Sequence, residues 1–306
     1  MRLAIVLPCY QEEATIAETV TAFARARPDA VIYVYDNNST DRTADRAAAA
    51  GATVRREARR GKGNVMRRAF ADIEADVYVM ADGDATYDAS RVGDLIRLVV
   101  EERFDMVVGA RIPRNAAALR TGHALGNALF NRIADWLFGS DFTDIFSGYR
   151  AFSRRFVKSF PIITDGFEIE TELTVHAIDL RVPVAEIPLP FGMRPEGSSS
   201  KLRTARDGLR ILWVLLLLAK EVRPFSFFAF WGGLAGVVSL VLAYPLLITY
   251  LQTGLVPRFP TAILATGIAL LAFLSFGCGI VLDSVSRGRH EMKRLRYLEI
   301  PAPDFG

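Results

Sequence analysis

Hydrophobic residues along the first half of the chain follow two alternating rhythms. Short continuous apolar runs at Leu3–Leu7, Val31–Tyr35, Val77–Ala81 and Met106–Gly109 are bounded by polar residues and read as buried strands. Between them apolar residues recur at helical spacing: Ile16, Val20 and Phe23 within Thr15–Ala26, then Val65, Ala69, Phe70 and Ile73, then Val92, Leu95, Ile96 and Val99. A helix from Thr43 to Ala50 and a short strand at Thr53–Arg55 fill the remaining interval. Such alternation predicts an α/β fold, a mainly parallel sheet with helices on both faces. From Arg111 to Arg155 the pattern loosens, with a helix expected around Leu125–Phe138. Glu168–Leu180 reads as a further helix and Val182–Pro188 as an edge strand. Met193–Arg206 is basic and rich in Gly and Ser, the composition of a mobile loop.

The C-terminal third has a different texture. No charged residue occurs between Arg223 and Arg258, or between Arg258 and Asp283. Each gap exceeds the roughly 20 residues that cross a bilayer, so two transmembrane helices are expected. They account for a hydrophobic content of 51%, above the soluble norm. Ile211–Ala219 is too short to span and, flanked by Arg210 and Lys220, suits an amphipathic helix lying at the headgroups. Arg203, Arg206, Arg210, Lys220 and Arg223 precede the first span, and Arg287, Arg289, Lys293, Arg294 and Arg296 follow the second. The connecting loop has Arg258 alone. Positive-inside bias then places both flanks and the globular part in the cytoplasm, on a multi-pass inner-membrane protein. The alternative is a buried hairpin in a soluble protein, which span length disfavours. The expected division is a catalytic domain over 1–206, an interfacial helix over 207–223, a membrane region over 224–283 and a basic cytoplasmic tail over 284–306. At the N-terminus, Leu3–Leu7 is too short for a secretory core and Pro8 interrupts it, so a first strand is expected there, not a signal peptide.

Composition narrows the function mainly by exclusion. A net charge of +3, with no interleaving of basic and aromatic residues, argues against a nucleic-acid partner. Cys9 and Cys278 form neither a disulfide framework nor a zinc pattern, and His123, His176 and His290 are scattered. A reducing compartment fits this usage. Oligomeric state is left open, a homo-oligomer included.

The most informative polar cluster is Asp82-Gly83-Asp84, which closes the apolar run Val77–Ala81. In an extended segment side chains two apart point the same way. Two carboxylates would project together from the C-terminal end of a strand, where open α/β sheets bind ligands. Paired hard oxygens suit Mg²⁺ or Mn²⁺ shared with a substrate diphosphate. An EF-hand is excluded, because Tyr87 and Gly93 stand where its Gly and Glu belong. Other clusters follow other strands. Asp36-Asn37-Asn38-Ser39-Thr40-Asp41 follows the second, and Asp36 is placed either to accept from a nucleobase or ribose or to cap a turn. Gly61-Lys62-Gly63-Asn64 opens a helix, either a phosphate cradle or a solvated basic turn. It lacks the spacing of a Walker loop, and neither Gly-x-Gly-x-x-Gly nor Gly-x-Ser-x-Gly occurs at a strand end.

Pro8-x-Tyr10-x-Glu12, Asp36–Asp41, Gly61-Lys62-Gly63, Asp82-x-Asp84 and Gly109-Ala110-Arg111 occur in the order typical of family 2 glycosyltransferases with the GT-A fold. Ser147-Gly148-Tyr149-Arg150 and Gly197-Ser198-Ser199-Ser200-Lys201 further resemble the dolichol-phosphate mannose synthases and the bacterial polyprenyl-phosphate glycosyltransferases. The resemblance covers residues 1–210. It implies Pro8, Tyr10, Glu12 and Asp36 around a UDP- or GDP-linked sugar. Asp82 and Asp84 would hold nucleotide and metal. Arg111, Ser147, Arg150 and Lys201 would lie near donor or acceptor phosphates. Thr86 stands where relatives carry Gln or His, and Asn37 where many carry Asp. The implied activity is inverting hexosyl transfer to a polyprenyl phosphate. The rivals are transfer to a hydroxyl of a lipid-linked glycan, with Asp144, Glu168, Glu170 or Glu172 as base, and a catalytically silent membrane scaffold. Glu168 and Glu172, four apart, would share a helix face, by default a solvated or salt-bridged one.

Overall fold

The computed structural model describes residues 1–113, 142–192 except 163 and 167, and 213, 216, 217 and 219–301. The expected helix at 125–138, the loop at 193–206 with Lys201, His123, the cations Arg203, Arg206 and Arg210, and most of the interfacial helix lie outside them.

The apolar runs become strands, with β1 (Leu3–Cys9) near the middle of a seven-stranded sheet. It pairs in parallel with β2 (Ala30–Asp36) on one side and β4 (Val77–Met80) on the other, and β3 (Thr53–Arg56) closes one edge beside β2. Alternate residues of β1 serve opposite faces. Leu3, Ile5 and Leu7 join one apolar cluster with Ile16, Val20 and Phe23 of α1 (Ile16–Ala26), Ala47 of α2 (Thr43–Ala49), and Leu95 and Val99 of α4 (Val92–Val100). Ala4 and Val6 join a second with Val65, Met66 and Phe70 of α3 (Lys62–Asp72), Phe156 of α5 (Arg154–Ser159) and Leu173 of α6 (Ile169–Leu180). A period-2 strand sandwiched by period-3.6 helices produces these two cores.

The other half of the sheet contains an element the sequence pattern hid. β6 (Arg150–Ser153) runs antiparallel between β4 and β5 (Met106–Pro113), which makes the sheet mixed. Its four residues begin with a charge and show no apolar run. β7 (Val184–Phe191) pairs parallel to β5 at the far edge, longer at its C-terminal end than expected. Pro188 and Pro190 are tolerated because an edge strand has one side without ladder partners.

The chain divides into two compact units, Met1–Leu215 with Lys293–Gly306, and Leu216–Met292. The basic tail expected over 284–306 is therefore not separate. Tyr297 donates to Asp105 Oδ2 at 2.6 Å, Lys293 to Asp179 at 2.9 Å, and Arg155 to the Ile300 carbonyl at 2.9 Å. Tyr297 and Ile300 supply the apolar contact that charge counting overlooks.

The second unit contains α7 (Pro224–Thr253) and the first part of α8 (Phe259–Glu299), both long and apolar enough to cross a membrane. Only 6% and 17% of their most apolar stretches are buried, which does not fit a buried hairpin. Small residues let the backbones approach: a Cβ on Gly232 would lie 3.1 Å from the Ala272 carbonyl, and one on Gly279 3.2 Å from Phe228. Ser239 and Ser275 each donate to a carbonyl of the opposite helix.

Candidate active site

Parallel β1, β2 and β4 end at one edge of the sheet, with Cys9 registered opposite Asp36. Antiparallel β6 starts there, Arg150 opposite Met80. Topology thus brings the 147–150 segment beside Asp82-Gly83-Asp84, although the two are distant in sequence.

β4 stops at Met80, two residues before the strand end expected at Asp82, and Gly83 and Asp84 form a turn. The premise of an extended Asp-x-Asp therefore fails, and the two acids differ in setting. Asp82 has a side chain 31% exposed, whereas Asp84 is buried. Asp84 Oδ1 accepts from the Thr86 amide at 3.2 Å and its hydroxyl at 2.5 Å. Gly83 is fixed by contact, since a Cβ there would fall 2.5 Å from Cys9 Sγ. Its carbonyl also accepts from Thr15 and Thr19 hydroxyls.

Lys62 Nζ lies 2.5 Å from both Asp82 Oδ1 and Glu170 Oε1. Burial alone would lower its pKa, but Asp82 and then Glu170 outweigh that and raise it, so the ammonium stays charged. Burial raises the Glu170 carboxyl, with Lys62 opposing. Neither expected role for this turn survives in full. The Lys62 side chain is buried, not solvated, and its charge is already neutralised by two carboxylates. The helix N-terminus is closed as well, because Gly63 N and Asn64 N donate to the Gly166 and Asp165 carbonyls. A Cβ on Gly61 would lie 2.0 Å from the Asp165 oxygen, and one on Gly63 2.2 Å from the Thr164 oxygen. These glycines admit a neighbouring loop.

Arg150 and Ser147 also require correction. Arg150 is fully buried, and its guanidinium donates to the Ser147 and Ile145 carbonyls at 2.8 and 2.7 Å and to Thr174 Oγ1 at 2.9 Å. Burial pushes its pKa down to about 10, with Glu170 opposing. Ser147 donates to the Gly109 carbonyl at 2.6 Å. Both side chains are used in internal hydrogen bonds, so direct phosphate contact does not fit them. Arg111 is different: it makes two 2.7 Å bonds to Asp144 at a side-chain exposure of 24%. Asp144 in turn receives the Arg111 amide.

Asp36 accepts from the Ser39 amide through both oxygens at 3.3 Å, the capped turn. Asn37 donates to the Glu57 and Arg59 carbonyls and accepts from Gly61 N, which explains an amide at this position: a carboxylate could not donate. The Arg60 guanidinium lies 5.2 Å from the Tyr10 ring centre. Glu12 is buried beside Thr15, and Pro8 is registered opposite Tyr35. Glu168 and Glu172 are buried as well, so the solvated alternative for their helix face does not hold. Glu172 accepts from the amide and hydroxyl of Thr164.

Two residues have roles in the site that their sequence context does not give. Tyr87 accepts from Gly148 N at 2.9 Å and packs on Tyr149 and Phe191, and burial, then the Asp82 charge, raises its pKa. Gly148 leaves no room for a side chain, since a Cβ would stand 3.0 Å from Asp82 Oδ2 and 2.9 Å from Lys62 Nζ. The Ser147–Arg150 motif marks Gly148 without its contact to Asp82, and no motif marks Tyr87.

Among the described residues no three Cys, His, Asp or Glu side chains gather around one point. Asp82 and Asp84 supply hard oxygens at a ligand edge, and a Mg²⁺-type ion is held by one or two carboxylates plus substrate phosphates. The donor set fits that arrangement.

Comparison with known proteins decides the family. The sequence model described as glycosyl transferase family 2 matches residues 4–160. The chain is a family 2 glycosyltransferase. Haloferax volcanii Glycosyltransferase AglJ is 33% identical over 304 residues, covering 96% of this chain and 97% of the relative. The dolichyl-phosphate hexose transferase of the same organism is 27% identical over 209 residues, 68% of this chain and 90% of that protein. Mycobacterium tuberculosis glucosyl-3-phosphoglycerate synthase, solved with Mn²⁺, UDP-glucose and phosphoglyceric acid, superposes with a TM-score of 0.58 at 24% identity, covering 71% of this chain and 79% of that one. The glycosyltransferase has the GT-A architecture expected, followed by its two long apolar helices. Membership of an enzyme family also sets aside the silent-scaffold reading.

Proposed function

We propose that this glycosyltransferase moves a hexosyl group from a nucleotide diphosphate sugar to the phosphate of a membrane polyprenol, with inversion at the anomeric carbon. The observation that carries the choice of acceptor is the state of the carboxylates. A hydroxyl acceptor needs a base for its proton. All four candidate bases are buried, and Asp144 is bonded to Arg111, Glu170 to Lys62 and Glu172 to Thr164. A phosphate monoester is already anionic at neutral pH, its second pKa being about 6, and needs no such group. A relative that acts on dolichyl phosphate supports the same choice.

In this reading Pro8, Tyr10, Glu12 and Asp36 surround the nucleotide, and Asp82 and Asp84 hold a Mg²⁺ or Mn²⁺ ion. When bound, that ion neutralises the departing diphosphate as a Lewis acid. Arg111, oriented by Asp144, offers its guanidinium to a phosphate, and Lys201 joins it by resemblance to the family. Arg150 and Ser147 hold the loop that carries Gly148 against Asp82. A phosphate oxygen of the lipid bonds to the anomeric carbon as the bond to the diphosphate oxygen breaks, and the electron pair leaves with the nucleoside diphosphate. The excess of Lys220, Arg223, Arg287 and Arg289 over Arg258 supports a reaction at the cytoplasmic leaflet.

The test is the detergent-solubilised chain with Mn²⁺, a short polyprenyl phosphate and a panel of UDP- and GDP-hexoses, followed by mass spectrometry. The expected product is a hexosyl phosphoprenol, lost on addition of EDTA. Transfer to hydroxyl lipids with none to the phosphate overturns the acceptor, and turnover unaffected by EDTA overturns the metal.

A further inference from the structure

Lys62 stands where a cation is expected and is itself a cation. Its Nζ is 2.5 Å from an oxygen of Asp82 and 2.5 Å from one of Glu170, and the Lys62 and Glu170 side chains are only 6% and 5% exposed. Gly148 closes the space behind, because a Cβ there would meet Nζ at 2.9 Å. Glu170 Oε2 is buried with no hydrogen-bond partner among the described residues. An ammonium has three donors, so Glu170 presents a second acceptor that Lys62 can take up without leaving its pocket.

We propose that Lys62 is an internal counter-ion on Asp82 that an incoming divalent cation must displace, and that Glu170 is the positioning residue that receives the ammonium when Asp82 is released. This rests on the reading that Asp82 and Asp84 hold the metal. Like charges cannot share one carboxylate oxygen without repulsion. Metal binding therefore competes with the Lys62–Asp82 bond in the donor-free protein. A nucleotide diphosphate adds negative charge at the same edge and favours the exchanged arrangement, so metal and donor bind with positive coupling. Glu170 lowers the cost of the exchange, because the displaced ammonium keeps a buried carboxylate partner.

The experiment is a Mn²⁺ titration of the full-length protein without nucleotide, free Mn²⁺ being read by electron paramagnetic resonance. Lys62→Met combined with Glu170→Gln removes the competing ammonium and leaves no lone buried charge, so it is expected to bind Mn²⁺ about tenfold more tightly than the parent, within the usual range of couplings between sites. Glu170→Gln alone leaves the ammonium with Asp82 as its one carboxylate and is expected to weaken Mn²⁺ about fivefold. Opposite signs from two variants of one cluster are not what a merely structural role gives. The single variant supplies the test if the double variant does not fold. Unchanged affinity, or a shift of both variants in the same direction, overturns the counter-ion role and leaves the metal reading intact. Asp84→Asn serves as the control beneath it. If that variant binds Mn²⁺ like the parent, or the parent binds none, the metal reading and this inference fall together.

Discussion

At the ligand edge of the sheet, Lys62 and Arg150 are buried and Arg111 is largely so, and each has hydrogen-bonding partners with little room to move. In the helix pair, long stretches carry no charge, contact runs through Gly232, Ser239, Ala272 and Gly279, and most large apolar side chains face outward. The two regions fix position by opposite means. A buried charge must keep its partner, and loss of one member leaves the other uncompensated, at a cost of several kcal/mol. Apolar helices that share a lipid-like surround are set by close approach and a few hydroxyls, whose loss is graded and small. Damage should therefore be steep in the first region and shallow in the second.

The steepest expected effect is on chemistry. Asp84→Asn keeps the shape of a side chain tied to Thr86 but removes its charge, and transfer should fall about a thousandfold, comparable to the loss of one preorganised electrostatic group. An unchanged thermal midpoint would show that the fold is retained. A fall of less than tenfold would break the contrast at its functional end. Next comes Arg150→Ala, which strands the Ile145 and Ser147 carbonyls and Thr174. Stability should drop by about 3 kcal/mol, the cost of buried acceptors left unsatisfied, read as a lower denaturation midpoint, with little change in the acceptor KM of whatever protein remains folded. A stable variant with a raised acceptor KM would return Arg150 to the phosphate role that its motif implied. In the helix pair, Gly232→Leu forces a side chain against the Ala272 carbonyl and should cost about 2 kcal/mol by overpacking. Fluorescence of Trp231 in detergent reports that loss, and the midpoint of the globular unit should stay where it was.

The same contrast explains what the sequence revealed. β1, β2 and β4 were readable because strands buried on both faces must be continuously apolar, and α1 and α4 because an amphipathic stripe has one period. The helix pair was readable from its missing charges. β6 was not, since Arg150 opens it and its burial depends on carbonyls supplied by residues 145 and 147. Within the site, Asp82, Asp84, Asp36 and Arg111 were visible because motifs name residue types. Their partners were not: Glu170 meets Lys62, and Gly148 meets Asp82, only through tertiary packing. Gly61 and Gly63 suit a phosphate cradle, a solvated turn or a close loop contact equally in sequence, and only the position of Thr164 and Asp165 separates them. Motif spacing records what must be present at a strand end, whereas burial decides what each charge is bonded to.

One chemical change made in both the globular unit and the helix pair sharpens the comparison most directly. Ser153 donates to Asp105 Oδ1 at 2.5 Å and accepts from Phe156 N at the start of α5, so its hydroxyl serves a buried carboxylate and caps a helix. Ser239 donates to the Ala265 carbonyl at 2.8 Å, across the helix pair. Ser153→Ala should cost about 1.5 kcal/mol, from the lost cap and an under-bonded Asp105. Ser239→Ala should cost about 0.6 kcal/mol, the usual worth of a hydroxyl between apolar helices, whose carbonyl remains bonded within its own helix. Denaturation of the globular unit measures the first, and the detergent titration that separates the helices measures the second. Equal costs would mean that the setting of the hydroxyl does not matter, and the division between a charge-matched region and a charge-free one would lose its energetic content.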